Sequence, residues 1–268
     1  MHENVFYNGQ IFSAADASIN GVSSAALYGK GIFTTIAVRN KEPFLWEKHW
    51  KRLGNNARHL RISIADFSER MLESALNEII VKNDIACGRA RITFFDESAS
   101  DLWPFECDRK TSLLITTADL RETPANFRLT VLPHRINSTS PLTGVKSCNY
   151  LDKILALGEA KQRGFDEAVC LNQRGEIASA CMANIFWLND GKLYTPSLKT
   201  GCLPGTTREF ILENCECEEI EAEIEALKNA DSIFLTSAGI GVVQAAEFDG
   251  KILDKRTHEI LRLLPDRN

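Results

Sequence analysis

A lysine that precedes one helix and a glycine–threonine loop that opens another are the residues of this chain best suited to chemistry. Lys146 stands just before a segment of helical spacing, and Leu203-Pro204-Gly205-Thr206-Thr207-Arg208 leads into a second helix. A lysine amine can hold an aldehyde covalently, and the amides of a helix start can bind a phosphate dianion. The layout therefore suits a cofactor that carries an aldehyde at one end and a phosphate at the other.

Each of these features, taken alone, has a common structural explanation. Most lysines before helices lie on the surface, and a Gly-Thr-Thr helix start is a generic anion site. The turn Thr236-Ser237-Ala238-Gly239 after a buried strand is frequent in α/β proteins. Arg52 lies one position from the apolar face of its helix, where a solvated side chain is the usual outcome. A non-enzymatic α/β binding domain with an ordinary anion site is therefore one interpretation.

Composition places the chain among globular proteins and excludes some ligands. Its 268 residues are 44% apolar and 25% charged, which is ordinary for a folded domain or pair of domains. The net charge of −5 disfavours nucleic acid, since phosphate contacts need basic surface. No apolar run approaches the roughly 20 residues that span a bilayer. The N-terminus lacks the basic and apolar regions of a signal peptide, so we expect a cytoplasmic protein.

Cysteine and histidine spacing shows no metal motif. The eight cysteines are scattered without a C-x-x-C pair, and the five histidines form no cluster with metal-ligand spacing. We therefore expect reduced thiols that serve as small core residues, and no metal.

Hydrophobic periodicity and turn residues predict the secondary structure. Helices are expected over 46–60, 66–82 and 150–163, and strands over 89–95, 112–117, 127–133, 167–172, 184–189 and 232–236. In the helix 150–163 the predicted packing face is Leu151, Ile154, Leu155 and Ala160. A polar, proline-bearing segment at 118–126 is the predicted connector between an N-terminal domain (1–117) and a larger C-terminal domain (127–268). Residues 96–110 are predicted to be a polar loop.

Seven segments of the chain, in their order and spacing, resemble the fold-type IV pyridoxal-phosphate enzymes, which include branched-chain and D-amino-acid aminotransferases and 4-amino-4-deoxychorismate lyases. The matching segments are Tyr28-Gly29-x-Gly31-x-Phe33-x-Thr35, His49-x-x-Arg52-Leu53, Lys146-x-x-Asn149-Tyr150-Leu151, Asn184-Ile185-Phe186-Trp187, Tyr194-Thr195-Pro196, Leu203-Pro204-Gly205-x-Thr207-Arg208 and Thr236-Ser237-Ala238. The resemblance covers nearly the whole chain. It implies a two-domain α/β fold with mixed sheets, of the D-amino-acid aminotransferase type. It also implies a homodimer that binds pyridoxal 5'-phosphate and a small-molecule amino substrate.

The resemblance implies roles for individual residues as well. Lys146 becomes the imine lysine and proton shuttle, and Thr35 becomes an acid–base or positioning group near the imine. Four residues become phosphate ligands, namely Arg52, Thr206, Thr207 and Ser237. A guanidinium fork suits such a ligand.

Ser179 departs from the family pattern. A glutamate at this position pairs with the pyridine nitrogen in the family and keeps it protonated. A serine hydroxyl would instead donate to a neutral nitrogen, which makes the ring a weaker electron sink. Glu176 is near, but three positions along a strand it faces the other side, so it needs a register slip to substitute.

The resemblance leaves three activities open. Phe33-Thr34-Thr35 resembles the lyases, which release pyruvate from aminodeoxychorismate and form 4-aminobenzoate; aromatisation drives that reaction and lessens its dependence on a protonated ring. Against a lyase, the stretch 96–100 is acidic where the lyases have an arginine- and glycine-rich loop. The arginine–histidine carboxylate trap of D-amino-acid aminotransferases is also missing. The lyase is the first hypothesis. A branched-chain or D-amino-acid aminotransferase acting with 2-oxoglutarate is the second, and a pyridoxal-phosphate-binding protein weakened by Ser179 is the third.

Overall fold

The computed structural model describes residues 1–98 and 110–264, and these divide into two compact units. Unit 1 contains residues 1–120 together with 145–149, and unit 2 contains residues 121–144 and those from Tyr150 onward. The division differs from the predicted boundaries at 145–149. That short segment follows unit 2 in sequence yet is hydrogen-bonded to a strand of unit 1. Most of the predicted loop at 96–110, residues 99–109, lies outside the described residues.

Unit 1 is an antiparallel sheet with two helices packed in one core with it. Its strands are β1 (Asn4–Tyr7), β2 (Gln10–Ser13), β3 (Gly31–Arg39), β4 (Glu42–Pro43), β5 (Gly88–Asp96) and β6 (Thr111–Ala118), and its helices are α1 (Ser24–Tyr28), α2 (Trp46–Leu60) and α3 (Glu69–Lys82). The strand order is β2-β1-β6-β5-β3-β4. Side chains alternate across β3, so Ile32 and Ile36 pack in the same core as Leu53 of α2 and Leu76 of α3. Phe33 and Thr35 consequently lie on the opposite face.

Unit 2 contains two five-stranded sheets. Its strands are β7 (Arg128–Ile136), β8 (Glu167–Asn172), β9 (Ile177–Ala180), β10 (Asn184–Asn189), β11 (Lys192–Pro196), β12 (Glu218–Ile220), β13 (Ser232–Ser237), β14 (Gly241–Gln244), β15 (Glu247–Phe248) and β16 (Lys251–Ile252), and its helices are α4 (Leu151–Gln162), α5 (Thr206–Asn214) and α6 (Glu225–Lys228). One sheet has the order β12-β11-β10-β13-β14, and the other has the order β16-β15-β7-β8-β9. Both mix parallel and antiparallel pairs. Within the described ranges, no helix has both the length and the apolarity to span a bilayer.

The packing face of α4 is not the one that periodicity predicted. Leu151, Ile154 and Leu155 are 64%, 56% and 63% exposed. Ala160, the fourth residue of the predicted face, is buried, and with Ala156 it packs in a cluster with side chains of β7 and β8. Small alanines let the helix approach the sheet closely, and hydropathy alone ranked the larger residues first. The exposed residues leave an apolar stripe on the outside of α4.

Candidate active-site residues

Lys146 is held against β3 by backbone hydrogen bonds. The amide of Phe33 donates to the carbonyl of Lys146 at 2.9 Å, and the amide of Cys148 donates to the carbonyl of Gly31 at 2.8 Å. A Cβ built on Gly31 would lie 2.9 Å from both Cys148 Sγ and the carbonyl oxygen of Phe94. Gly31 is therefore needed for space rather than for flexibility at a bend, because a side chain there would push the lysine segment away.

Two cations lie over one aromatic ring on this face of unit 1. Lys146 Nζ is 4.4 Å from the centroid of the Phe33 ring, and Arg91 Cζ is 3.6 Å from it. Thr35 is directly opposite Arg91 in the β3–β5 register. Cross-strand partners share a face of a sheet, so Thr35 lies on the same side as Arg91 and Phe33. The two positive charges make this face favourable for an anionic group.

Arg52 is buried on the opposite face of β3, where it joins a polar cluster with Thr34 and His49. It is only 9% exposed, and its Nη2 donates to Thr34 Oγ1 at 2.5 Å. Thr34 Oγ1 is also 2.7 Å from His49 Nδ1. The interpretation of Arg52 as a solvated side chain was wrong, because the neighbouring helix positions 49, 53 and 56 are buried as well.

The electrostatics of this cluster keep His49 neutral. Burial first, and then the positive charges of Arg52 and Lys146, hold the pKa of His49 well below its usual 6.5. A neutral Nδ1 that accepts the Thr34 hydroxyl proton leaves the hydroxyl oxygen to accept from Arg52. His49 and Thr34 thus fix the orientation of a guanidinium, a role that residue spacing did not reveal.

The start of α5 in unit 2 offers backbone amides to an anion. Gly205 is the N-cap of α5 and makes no side-chain capping bond, and Thr206 and Thr207 open the helix as buried residues. Asn184 Nδ2 donates to the carbonyl of Leu203 at 2.9 Å and so holds the loop. A Cβ on Gly205 would lie 2.0 Å from Asn184 Oδ1, so only glycine fits this close approach. A helix N-terminus shaped in this way suits a phosphate.

Ser237 lies close to Asn184 at one end of the sheet that contains β10 and β13. Asn184 begins β10 and is opposite Thr236 in β13, and Ser237 is the last residue of that strand. Asn184, which orders the Gly205 loop, is therefore the cross-strand neighbour of Thr236, the residue before Ser237. The structure thus brings Ser237 to the end of the sheet at which Asn184 holds the loop of Thr206 and Thr207.

Ser179 has an unexpected partner. Lys153 of α4 donates a hydrogen bond from Nζ to Ser179 Oγ at 3.3 Å. Cys170, the cross-strand neighbour of Ser179, has its Sγ 3.9 Å from Cys181 Sγ. Hydrogen bonding from the Cys181 thiol and the positive charge of Lys153 outweigh burial and lower the pKa of Cys170. Ser179 therefore lies beside a cationic side chain, and the position carries no carboxylate of its own.

Glu176 does not replace the missing carboxylate. A bulge between Cys170 and Leu171 does shift the β8–β9 register, so the strand-parity argument against Glu176 does not hold as stated. However, Glu176 precedes β9, and its carboxylate accepts from Arg174 Nη2 and from Asn172 Nδ2, both at 2.7 Å. These hydrogen bonds, led by that of Arg174, lower the pKa of Glu176. The Glu176 carboxylate is therefore held by Arg174 and Asn172 and does not stand at the position of Ser179.

The first two acidic residues of the 96–100 stretch both have hydrogen-bond partners within unit 1. Asp96 is buried and pairs with Lys30 at 2.6 Å; burial raises the pKa of Asp96, but the hydrogen bonds from Lys30 and Ser98 outweigh it and the pKa is lowered. Glu97 is also buried and accepts from Tyr7 Oη at 3.0 Å and from Ser112 Oγ at 2.5 Å. Lys30 therefore offsets the charge of Asp96, whereas Glu97 accepts hydrogen bonds from uncharged hydroxyl groups. Residues 99 and 100 lie outside the described part of the chain.

These residues fit pyridoxal 5'-phosphate. In unit 1 an amine, Lys146, can hold its aldehyde, and the buried guanidinium of Arg52 suits its phosphate. In unit 2 the α5 start has no side-chain cap, and the glycine before it leaves room for close backbone approach. Each unit therefore carries groups suited to such a cofactor.

The family is shown by direct comparison. The amino-transferase class IV family matches residues 31–248, and the chain belongs to this family. Its members depend on pyridoxal 5'-phosphate, so the predicted family, fold class and cofactor are confirmed.

The relatives carry two activity names. Aminodeoxychorismate lyase of Bacillus subtilis is 29% identical over 89% of this chain and 84% of its own length. Branched-chain-amino-acid aminotransferase of Escherichia coli K12 is 25% identical over 92% of this chain and 85% of its own length. The solved branched-chain aminotransferase of Thermoproteus uzoniensis shares the fold, with a TM-score of 0.90 and 23% identity over 98% of this chain and 92% of its own. Family membership thus determines the cofactor and leaves the reaction to be inferred from the residues.

Proposed function

We propose that the chain is a lyase that converts 4-amino-4-deoxychorismate to 4-aminobenzoate and pyruvate. The observation that carries the proposal is the Lys153–Ser179 pair, in which a hydroxyl that accepts from an ammonium stands where the family pattern has a carboxylate. The bound cofactor supplies an electron sink, which is weaker without a protonated ring nitrogen. A reaction driven by aromatisation tolerates a weaker sink better than amino transfer does.

The residue roles follow from chemistry and position. Lys146 would hold the cofactor, and its amine would move the proton at the reacting carbon. Thr35, across from Arg91, would position the reacting group. Arg52, Thr206, Thr207 and Ser237 would hold the phosphate, and Ser179 would donate to the ring nitrogen.

Arg91 is the residue that we assign to the substrate. Its guanidinium shares the Phe33 ring with Lys146, close to where the amino group of a substrate must react. A carboxylate bound there gains charge-assisted hydrogen bonds. Lys30 offsets the charge of Asp96, which lessens the repulsion between this part of unit 1 and a dicarboxylate such as aminodeoxychorismate.

Two assays on the same purified holoenzyme separate the possibilities. Release of pyruvate and 4-aminobenzoate from aminodeoxychorismate is compared with amino transfer from branched-chain or D-amino acids to 2-oxoglutarate. We expect the first reaction to dominate. Lys146→Ala should abolish the activity and the visible absorption of the bound cofactor, whereas Lys161→Ala, an exposed lysine of α4, should preserve both.

The aminotransferase is the second candidate, because the branched-chain relative aligns with 92% of the chain. Faster amino transfer than pyruvate release would establish it and overturn the lyase proposal. If holoenzyme with intact absorption performs neither reaction, the third hypothesis applies, and the chain binds the cofactor with reduced activity because of Ser179.

We also propose that the protein is a homodimer that uses the apolar stripe of α4. Leu151, Ile154 and Leu155 expose more than half of their surface side by side, which is unusual for a face that remains in water. Leu155→Glu should shift the sedimentation coefficient from dimer to monomer. Gln162→Glu adds the same charge at an exposed position of α4 and should leave the dimer intact. A monomeric parent protein would overturn the proposal.

A further inference from the structure

Two segments of unit 2 bring three side chains of metal-binding type together. Cys215 directly follows α5, while His258 and Glu259 begin a short 3-10 turn, Glu259–Leu261. The Cys215 thiol donates to Glu259 Oε1 at 3.0 Å across a sequence separation of 44 residues. One sulfur, one imidazole nitrogen and one carboxylate oxygen of these residues lie within 4.8 Å of one another.

The surrounding core holds the two segments in place. Ile260 is fully buried in a cluster that includes Cys215, Ile211 and Phe234. The His258 ring packs against Phe234, with centroids 6.1 Å apart. Cys215 is buried, His258 is half-buried and Glu259 is exposed, so the cluster has a fixed inner side and an outer side open to solvent. The ligand-bearing backbone is thus anchored before any ion arrives, which lowers the entropic cost of binding.

The distances are compatible with a small divalent ion. Zinc–sulfur bonds of about 2.3 Å and zinc–nitrogen or zinc–oxygen bonds of about 2.0–2.1 Å place tetrahedral ligand atoms roughly 3.3–3.6 Å apart. Closing the cluster around an ion therefore requires side-chain movements on the order of 1 Å. Rotation of the exposed Glu259 side chain can supply the largest of them.

We propose that Cys215, His258 and Glu259 bind Zn²⁺ through three protein ligands, with water as the fourth. Thiolate and imidazole select zinc over magnesium or calcium, which prefer oxygen ligands. On binding, the thiol proton that now points to Glu259 leaves to solvent, and the sulfur and the carboxylate both bond to the ion. The site joins the end of α5 to the C-terminal segment, so its effect is on stability and is independent of the lyase proposal.

Site-specific protection of the thiol tests the proposal in the holoenzyme. Protein treated with a chelator is titrated with Zn²⁺, and alkylation of each cysteine by iodoacetamide is followed by peptide mass spectrometry. Zn²⁺ should slow alkylation of Cys215 at least tenfold and leave Cys87, which lies in unit 1, unchanged. Co²⁺ in place of Zn²⁺ should show the visible bands of tetrahedral coordination with a thiolate ligand.

Ligand variants and their matched controls make the assignment specific. His258→Gln and Glu259→Gln should each weaken Zn²⁺ binding at least tenfold, whereas His134→Gln, at an exposed histidine elsewhere in unit 2, should not. These two variants keep the test valid even where Cys215→Ser folds poorly. Unchanged Zn²⁺ affinity in His258→Gln, or no protection of Cys215, would overturn the proposal. Because the cofactor itself can chelate metal ions, loss of enzyme activity is not used as a readout.

Discussion

Substitution of Gly31 by alanine should displace the segment that carries Lys146 and should also destabilise unit 1. In Gly31→Ala the new Cβ would stand 2.9 Å from Cys148 Sγ and 2.9 Å from the Phe94 carbonyl oxygen. The sulfur can rotate away, but the carbonyl belongs to β5, which is paired on both sides by β3 and β6. Overpacking of this kind costs about 1–3 kcal/mol. Segment 145–149 must also move, because the amide of Cys148 donates a hydrogen bond to the carbonyl of Gly31.

Urea unfolding and borohydride trapping of the cofactor on Lys146 measure the two effects. The matched control is Gly54→Ala in α2, where no atom lies within 4 Å of the new Cβ. Alanine is favoured over glycine in a helix interior, so this variant should be more stable by roughly 0.5–1 kcal/mol. The same substitution should therefore have opposite signs at the two positions. A Gly31→Ala protein as stable as the parent, with undiminished trapping at Lys146, would refute the steric argument.

Three further outcomes are expected. The pKa of His49 is lower in the folded state than in the unfolded state, so its contribution to stability is present above about pH 6.5 and is lost as pH falls through the folded pKa. His49→Gln should therefore make the free energy of unfolding less dependent on pH below about 6.5, as urea titrations can show. The pKa of Cys170 is lowered in part by Lys153, so Lys153→Met should raise the pH midpoint for alkylation of Cys170, followed by peptide mass spectrometry; an unchanged midpoint contradicts the assigned role of the ammonium. Arg91→Gln should raise KM for a carboxylate substrate about 10- to 150-fold, corresponding to the roughly 1.5–3 kcal/mol of a charged hydrogen bond, with a smaller change in kcat.

Local patterns predicted the regular elements well. The apolar spacing from Trp46 to Leu60 coincides with the bounds of α2, and α3 (Glu69–Lys82) lies within the predicted helix 66–82, with Ser68 as its N-cap. Asn8-Gly9 forms the two-residue turn between β1 and β2, with positive φ at both residues. These features depend on interactions between residues close in sequence, which is why one sequence suffices to see them.

Features that depend on distant partners were the ones missed. Glu97 accepts a hydrogen bond from Tyr7, 90 residues away, and Arg52 donates to Thr34 on a strand beneath its helix. On α4 the periodic stripe was recognised, but hydropathy cannot say whether a stripe meets a sheet or remains outside. In each case the missing information was which element packs on which, and only the tertiary structure supplies it.

The Lys153–Ser179 pair implies that restoring a strong electron sink takes two substitutions. A glutamate introduced at 179 would face an ammonium that now lies 3.3 Å from the serine oxygen, and the two charges would pair with each other. The carboxylate would then be only partly available to keep a ring nitrogen protonated. We therefore expect Ser179→Glu alone to raise half-transamination of the bound cofactor little, and Ser179→Glu with Lys153→Met to raise it much more. Stopped-flow absorbance with an amino-acid donor measures this rate, and Lys161→Met in place of Lys153→Met is the control. Equal rates in the single and double variants would show that Lys153 does not govern the position.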